Sequence, residues 1–242
     1  MLKIMGRYTW LLLEGPGLSM QIIKSLTELD EIRKIPHGDM VPTVFIPGFG
    51  ASNASTYIMR RLLNEKHHNT IKWVEHKNNG FNPIAIQNTL SQIKHLADSH
   101  GTPVNIVGQS LGGCYARTIG NEIPDYVNVI VTLGSPIKGI DKIDPRSVDK
   151  YNTLVGLADA AFLHHSEYFH SFSVNPSVPT TSLYSKSDGV VHWSLSAIDE
   201  SPLSENIEIN GNHFGMGFDI SNISVIGDRI KQSKENWNKF YG

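Results

Sequence analysis

Ser110 stands at the centre of Gly108-Gln109-Ser110-Leu111-Gly112, a G-x-S-x-G pentapeptide. Val104-Asn105-Ile106-Val107 before it reads as a strand, and Leu111 through Arg117 after it reads as the start of a helix. So sharp a turn between strand and helix strains the central residue and presents its hydroxyl, forming a nucleophile elbow. Glycines two before and two after leave room where strand and helix approach. A serine hydroxyl is a poor nucleophile at neutral pH. It needs a base to take its proton and an acid to orient that base.

Both partners can be found downstream. Asp188 follows a strand ending at Tyr184, in Ser185-Lys186-Ser187-Asp188-Gly189-Val190-Val191. His213 follows the last strand, in Asn210-Gly211-Asn212-His213-Phe214-Gly215. Their Gly-containing loops can bring both side chains to the elbow. His192 is a rival base, but it shares a loop with Asp188 and is badly placed to reach the serine. Asp159 is a rival acid within an expected helix, and Asp219 reads as a loop or cap residue. A tetrahedral oxyanion also needs donors. The N–H of Leu111, first in its helix, is one, and the N–H of Phe49 in Gly48-Phe49-Gly50 is the choice for the second.

The elements that must position these groups alternate. Val41 to Ile46 is a β-rich run ending at Pro47-Gly48, and a helix is expected over Ser55 to Glu65. Ile71 to Glu75 reads as a strand and Ile84 to His100 as a helix stopped by Gly101. Val127 to Leu133 is a continuous apolar strand, followed by strands at Thr180–Tyr184 and from Ile207. A C-terminal helix is expected from about Ile223 to Trp237. Such alternation argues for an α/β fold with a mainly parallel sheet of about six strands. Phe49, Ser110, Ser135, Asp188 and His213 all fall just past strand ends, where sites of such sheets lie. Residues 141–172 interrupt the pattern and read as a short helical cap over the active-site edge, with a purely structural crossover helix as the alternative. Leu18 to Ile35 has helical spacing, so residues 1–40 read as a helical segment packed on an α/β domain over 41–242.

Composition narrows the function classes. The chain has 242 residues, 40% hydrophobic, with a formal net charge of -2, and no basic run speaks for a nucleic-acid partner. A lone cysteine, Cys114, excludes an internal disulfide and reads as a small core residue. Eleven scattered histidines without an H-E-x-x-H pattern read as surface or loop positions, with no metal site expected. Tyr8 to Leu13 is too short an apolar stretch to span a bilayer, and no export signal is recognisable. A cytoplasmic location is therefore expected, with peripheral membrane contact through the N-terminal helix as the alternative.

Four segments together resemble the bacterial lipase/esterase-like branch of the α/β-hydrolase superfamily. They are Val44 to Phe49, Gly108 to Gly113, Ser187 to Val191, and Glu205 to Ile209 with His213 and Gly215. In this superfamily the chain order is Ser, then Asp or Glu, then His. The resemblance implies esterase or lipase activity on a small acyl ester or lipid, in lipid metabolism, with no cofactor. Asn212 stands where serine is frequent, and His192 where proline is. The same groups serve acyltransferases, thioesterases and amidases, and a non-catalytic binding protein could keep the fold. The oligomeric state is left open.

Overall fold

The structure is a computed structural model that describes residues 29–138 and 166–241. In chain order it runs α1 (Leu29–Lys34), β1 (Pro42–Ile46), α2 (Tyr57–Asn64), β2 (Asn69–Lys72), α3 (Pro83–His100), β3 (Val104–Gln109), α4 (Leu111–Glu122) and β4 (Val127–Leu133). After residue 165 follow α5 (Ser166–Ser173), β5 (Thr180–Tyr184), α6 (Trp193–Ser196), β6 (Ser204–Glu208) and α7 (Ile220–Ile230). The strands form one sheet in the order β2-β1-β3-β4-β5-β6. All five neighbouring pairs are parallel. Every residue of β1 and β4 is buried, as a parallel sheet covered on both faces requires.

The covering layers can be read from side-chain alternation. Phe45 of β1 packs on one face with Ile58, Met59, Leu62 and Leu63 of α2, with α7 and with Ile35 just past α1. Val44 and Ile46 turn to the other face, against α3 and the Leu111–Ile119 stretch of α4. The sheet is built outward from β1 to β2 and then resumes on β1's other side with β3. The loops after β1 and β3 therefore diverge to opposite faces and leave a crevice between them. Open α/β sheets bind ligands at such a switch point.

Several ends are set by local chemistry. The Asn82 side chain accepts a hydrogen bond from the Ala85 N–H at 2.9 Å, with Pro83 in the first turn. This starts α3 one residue before the expected Ile84. Gly101, at φ 66°, ends it. Strand β2 is Asn69–Lys72 and not Ile71–Glu75. From Trp73 onward its backbone is satisfied by Asn53, whose side chain receives the Trp73 N–H and donates to the Trp73 and Glu75 carbonyls. Strand β6 begins at Ser204, three residues before the expected start. Helix α7 begins at Ile220 because the Asp219 carboxylate caps it, and its last carbonyl, at Ile230, is taken by Asn105 at 2.7 Å. A separate short turn, Lys234–Asn236, follows.

Polar contacts tie the layers together. Glu205 of β6 pairs with Arg229 of α7 at 3.0 Å, both buried, and the same carboxylate accepts from Thr181 and from the Phe240 N–H. Arg117 of α4 is fully buried. Its guanidinium donates to the carbonyls of Phe172, Ser173 and Val174 and to the Asn175 side chain. It thus caps the C-terminal end of α5 from a neighbouring helix, where a cation meets the negative end of the dipole. Burial pushes its pKa down to about 10, which leaves it charged at neutral pH. The expected cap over 141–172 lies mostly outside the described residues; its described end is helical, in a helix that runs over Ser166–Ser173. The expected N-terminal helix is described only from Leu29.

His68 corrects the reading of the histidines as surface groups. It is buried, with Nε2 3.0 Å from the Pro36 carbonyl, to which it must donate. Burial lowers its pKa below the ordinary 6.5, more than the Pro36 carbonyl and Asp39 raise it, while His37 and Lys231 lower it further. The unfolded chain therefore takes up this proton more readily than the folded one. The stabilising contribution is complete above about pH 6.5 and is lost as pH falls through the lowered folded value. Between pH 7 and 5 the parent chain is expected to lose more thermal stability than His68→Gln. Melting curves of both across that range check it, and parallel losses would contradict it.

Candidate active site

Ser110 lies between β3 and α4, and it alone of these elements' residues has a positive φ: 53°, with ψ −124°. This is a conformation that non-glycine residues rarely adopt, at a cost of order 1–3 kcal/mol. It is held by its own N–H donating to the Leu133 carbonyl at 2.7 Å and by its carbonyl accepting from Gly113 at 2.9 Å. The flanking glycines are steric necessities. A Cβ on Gly108 would lie 2.3 Å from the Gly112 carbonyl oxygen, and one on Gly112 would lie 2.2 Å from that of Ile46.

His213 and Asp188 meet the serine. His213 Nε2 is 3.0 Å from Ser110 Oγ, and His213 Nδ1 is 2.7 Å from Asp188 Oδ2. The side chains of His213 and Asp188 are 6% and 1% exposed, so water does not compete for the contact between them. An ionised carboxylate only accepts, which makes Nδ1 the donor and leaves the Nε2 lone pair facing the serine hydroxyl. The other carboxylate oxygen accepts the N–H groups of Val190 and Val191, each at 2.8 Å. Those two bonds fix the carboxylate on its own loop and aim Oδ2 at the imidazole.

Around these three, the strand ends supply a frame. A Cβ on Gly48 would sit 3.1 Å from Ser110 Cβ and 3.7 Å from its Oγ. The loop after β1 therefore presses directly on the serine, with the partly buried Phe49 next in sequence. Leu111 is the first residue of α4, and an N–H there has no intrahelical acceptor. Phe214 leaves the site edge 66% exposed, its ring edge-on to the His213 imidazole at 5.4 Å.

Other named residues are elsewhere. Ser135 is buried with its hydroxyl 3.3 Å from the Leu133 carbonyl. His192 caps α6, accepting from Ser194. Asp219 caps α7, and Asp159 lies outside the described residues. Cys114 is buried one turn past Ser110, and burial pushes its thiol up to about 12, which keeps it protonated and inert.

Three contributors were not anticipated. Gln109 Nε2 donates to the His213 carbonyl at 3.2 Å, tying the histidine's loop to the residue preceding the serine. Gly134, at φ 54°, clears space for Asp188, since a Cβ there would lie 2.9 Å from Oδ2. Asn78, fully buried, donates to the Pro47 carbonyl at 2.8 Å. The only sequence signal for Gln109 was its place inside the pentapeptide. Nothing local marks Asn78.

Residues 43–220 match an uncharacterised protein family, UPF0227. The chain belongs to this family. No curated protein matches it in sequence. The matched span of this UPF0227 protein runs from the second residue of β1 through the first residue of α7, and takes in Phe49, Ser110, Asp188 and His213. Solved structures similar to it include a lipase-esterase related protein from Clostridium acetobutylicum, at 15% identity and TM-score 0.56, covering 81% of this chain and 96% of that one. A Bacillus licheniformis lipase in mature form is similar at 14% identity and TM-score 0.57, covering 82% and 96%. A Paleococcus ferrophilus monoacylglycerol lipase is similar at 13% identity and TM-score 0.53, covering 80% and 96%. At these identities the likeness is one of fold: the UPF0227 chain has the α/β-hydrolase fold, here with a six-stranded, all-parallel sheet. Among the described residues no helix is long and apolar enough to cross a membrane.

Proposed function

We propose that this protein is a serine hydrolase that cleaves carboxylic esters through an acyl-enzyme on Ser110. One observation carries the reading: the continuous contact from Ser110 Oγ to His213 at 3.0 Å and on to Asp188 at 2.7 Å. It is set on a serine whose backbone is held at φ 53°. Strain maintained by the surrounding structure is found preferentially at functional sites.

The steps follow from the groups in place. Ser110 Oγ attacks the ester carbonyl as His213 Nε2 takes its proton. Asp188 stabilises the resulting imidazolium through Nδ1. The amides of Leu111 and Phe49 hold the oxyanion, and losing such a donor typically costs about 3–4 kcal/mol of transition-state stabilisation. The protonated His213 then gives its proton to the departing alkoxide, and the bond from carbonyl carbon to alcohol oxygen breaks. Water, deprotonated by the same histidine, attacks the acyl-enzyme; the bond from carbonyl carbon to Ser110 Oγ then breaks, His213 returns the proton to Oγ, and the acid leaves. The exposed Phe214 beside His213 favours an apolar group at the mouth of the site, so a small acyl ester or lipid is the proposed substrate class.

Hydrolysis of p-nitrophenyl esters from acetate to palmitate, with Ser110→Ala as control, tests the proposal. Turnover by the parent chain that disappears in the variant is expected, and the chain-length optimum measures the acyl pocket. Equal release of p-nitrophenol by both would overturn it. Inactivity of both on all esters, with a thioester or an added alcohol acceptor consumed instead, would move the reaction to thioester hydrolysis or acyl transfer at the same serine.

A further inference from the structure

The loops after β1 and β2 run antiparallel beside the serine. The Gly50 N–H donates to the Asn78 carbonyl at 2.7 Å, and the Asn78 N–H to the Ala51 carbonyl at 2.9 Å. Ser52 and Lys77 form the next bridge of this short ribbon. Asn78 adds its side chain: Nδ2 donates to the Pro47 carbonyl at 2.8 Å, and Oδ1 accepts the Gly80 N–H at 3.2 Å. Its amide thus has partners at both ends, and its side chain is wholly out of solvent. A buried amide so satisfied rigidifies its surroundings, whereas one left half-satisfied is costly.

The same turn is fastened to the helix that carries the serine. The Tyr115 hydroxyl donates to the Gly80 carbonyl at 2.6 Å and accepts the Asn82 N–H at 3.2 Å. Tyr115 lies on α4, whose first residue is Leu111, and it is fully buried against Trp73 and Phe81. A run of hydrogen bonds therefore passes from α4 through Tyr115, Gly80 and Asn78 to Pro47 and Gly50. Those last two residues bracket Gly48 and Phe49. The two amides assigned to the oxyanion thus sit on segments joined by one strut.

We propose that Asn78 is a positioning residue that, through Gly80 and Tyr115, sets the distance between the Phe49 and Leu111 oxyanion donors. This rests on the ester-hydrolase reading above. An oxyanion donor works through its placement at the developing charge, so a sub-ångström change in the loop falls on the transition state more than on substrate binding.

Asn78→Asp keeps the shape and replaces the amide donor to Pro47 with a carboxylate oxygen, which repels that carbonyl. Tyr115→Phe removes a single hydroxyl from the other end of the strut and keeps the ring packing. Active sites are counted with a fluorophosphonate that labels Ser110, and kcat and KM on the best p-nitrophenyl ester are measured per labelled site. Asn78→Asp is expected to lower kcat roughly 10- to 100-fold with KM within about threefold, and to weaken an alkyl boronic acid inhibitor in the same proportion. Tyr115→Phe is expected to lower kcat about fivefold. The double variant should be no slower than Asn78→Asp, because both substitutions break one strut. Unchanged kcat per labelled site in both variants, whatever happens to their melting temperatures, would overturn the proposal while leaving the ester-hydrolase reading intact. A parent chain that neither reacts with the fluorophosphonate nor turns over any ester would overturn that reading and the strut with it.

Discussion

Ser110→Ala, His213→Ala and the double variant are expected to hydrolyse esters at nearly the same residual rate, roughly four to six orders of magnitude below the parent chain. The reason lies in the geometry. The hydroxyl faces Nε2 at 3.0 Å, and in the proposed acyl-enzyme reaction neither group serves without the other. Once one is gone, removing the second costs little, so the losses do not add. Asp188→Asn should cost about 10⁴. Its carboxylate fixes the Nδ1–H tautomer at 2.7 Å, and an amide in its place can present a donor to Nδ1 and turn the lone pair away from the serine. Single-turnover rates of the three single variants and the double variant are the measurement. Losses that multiply in the Ser110→Ala/His213→Ala double variant would mean that the two side chains do not act as one unit.

The second large effect is on folding. Gly112→Ala would place a methyl group 2.2 Å from the Ile46 carbonyl oxygen and 2.8 Å from that of Pro47. Both neighbours are main chain, on β1 and the loop after it, so no side chain can rotate away. Helix α4 would have to retreat from β1 and carry Ser110 with it. Destabilisation of roughly 4–5 kcal/mol is expected, the range reached only by severe core lesions. Gly189→Ala is the control. It lies on the Asp188 loop, but a Cβ there meets nothing within 4 Å, so a change within about 0.5 kcal/mol is expected. Urea denaturation of the two variants compares them directly. Similar midpoints would show that the elbow can open without disturbing the sheet.

What could be read in advance follows from burial. Strands β4 and β5 keep the expected bounds, since β4 is buried along its whole length and β5 along all but its last residue. The edge strands β2 and β6, Asn-Thr-Ile-Lys and Ser-Glu-Asn-Ile-Glu, carry polar residues that periodicity assigns to loops. Glu205 is the clearest instance, because only its pairing with Arg229 makes a carboxylate compatible with a buried strand position. Ser110, Asp188 and His213 could be named because each stands just past the end of a strand, and parallel strands deliver such residues to one edge. Asn78 could not. Its contact with Pro47 spans 31 residues of sequence and exists only once the β1 and β2 loops lie side by side. His68 was misread for a similar reason: what buries it is a chain segment some 30 residues earlier, including Pro36.

The Arg117 clamp has a bearing on engineering. The chain leaves the sheet after Leu133, and a few residues on the Lys138 N–H donates to the Leu195 carbonyl. It is secured again where Arg117 and Asn121 hold the carbonyls from Ser171 to Val174. Both junctions are fastened to parts of the molecule other than the stretch they delimit. Helix α4 thereby serves as a socket as well as the mount for the serine. A segment of another α/β-hydrolase fold spliced in between these junctions would meet a frame already held at both ends. Such an exchange touches none of the hydrogen bonds that join Ser110, His213 and Asp188.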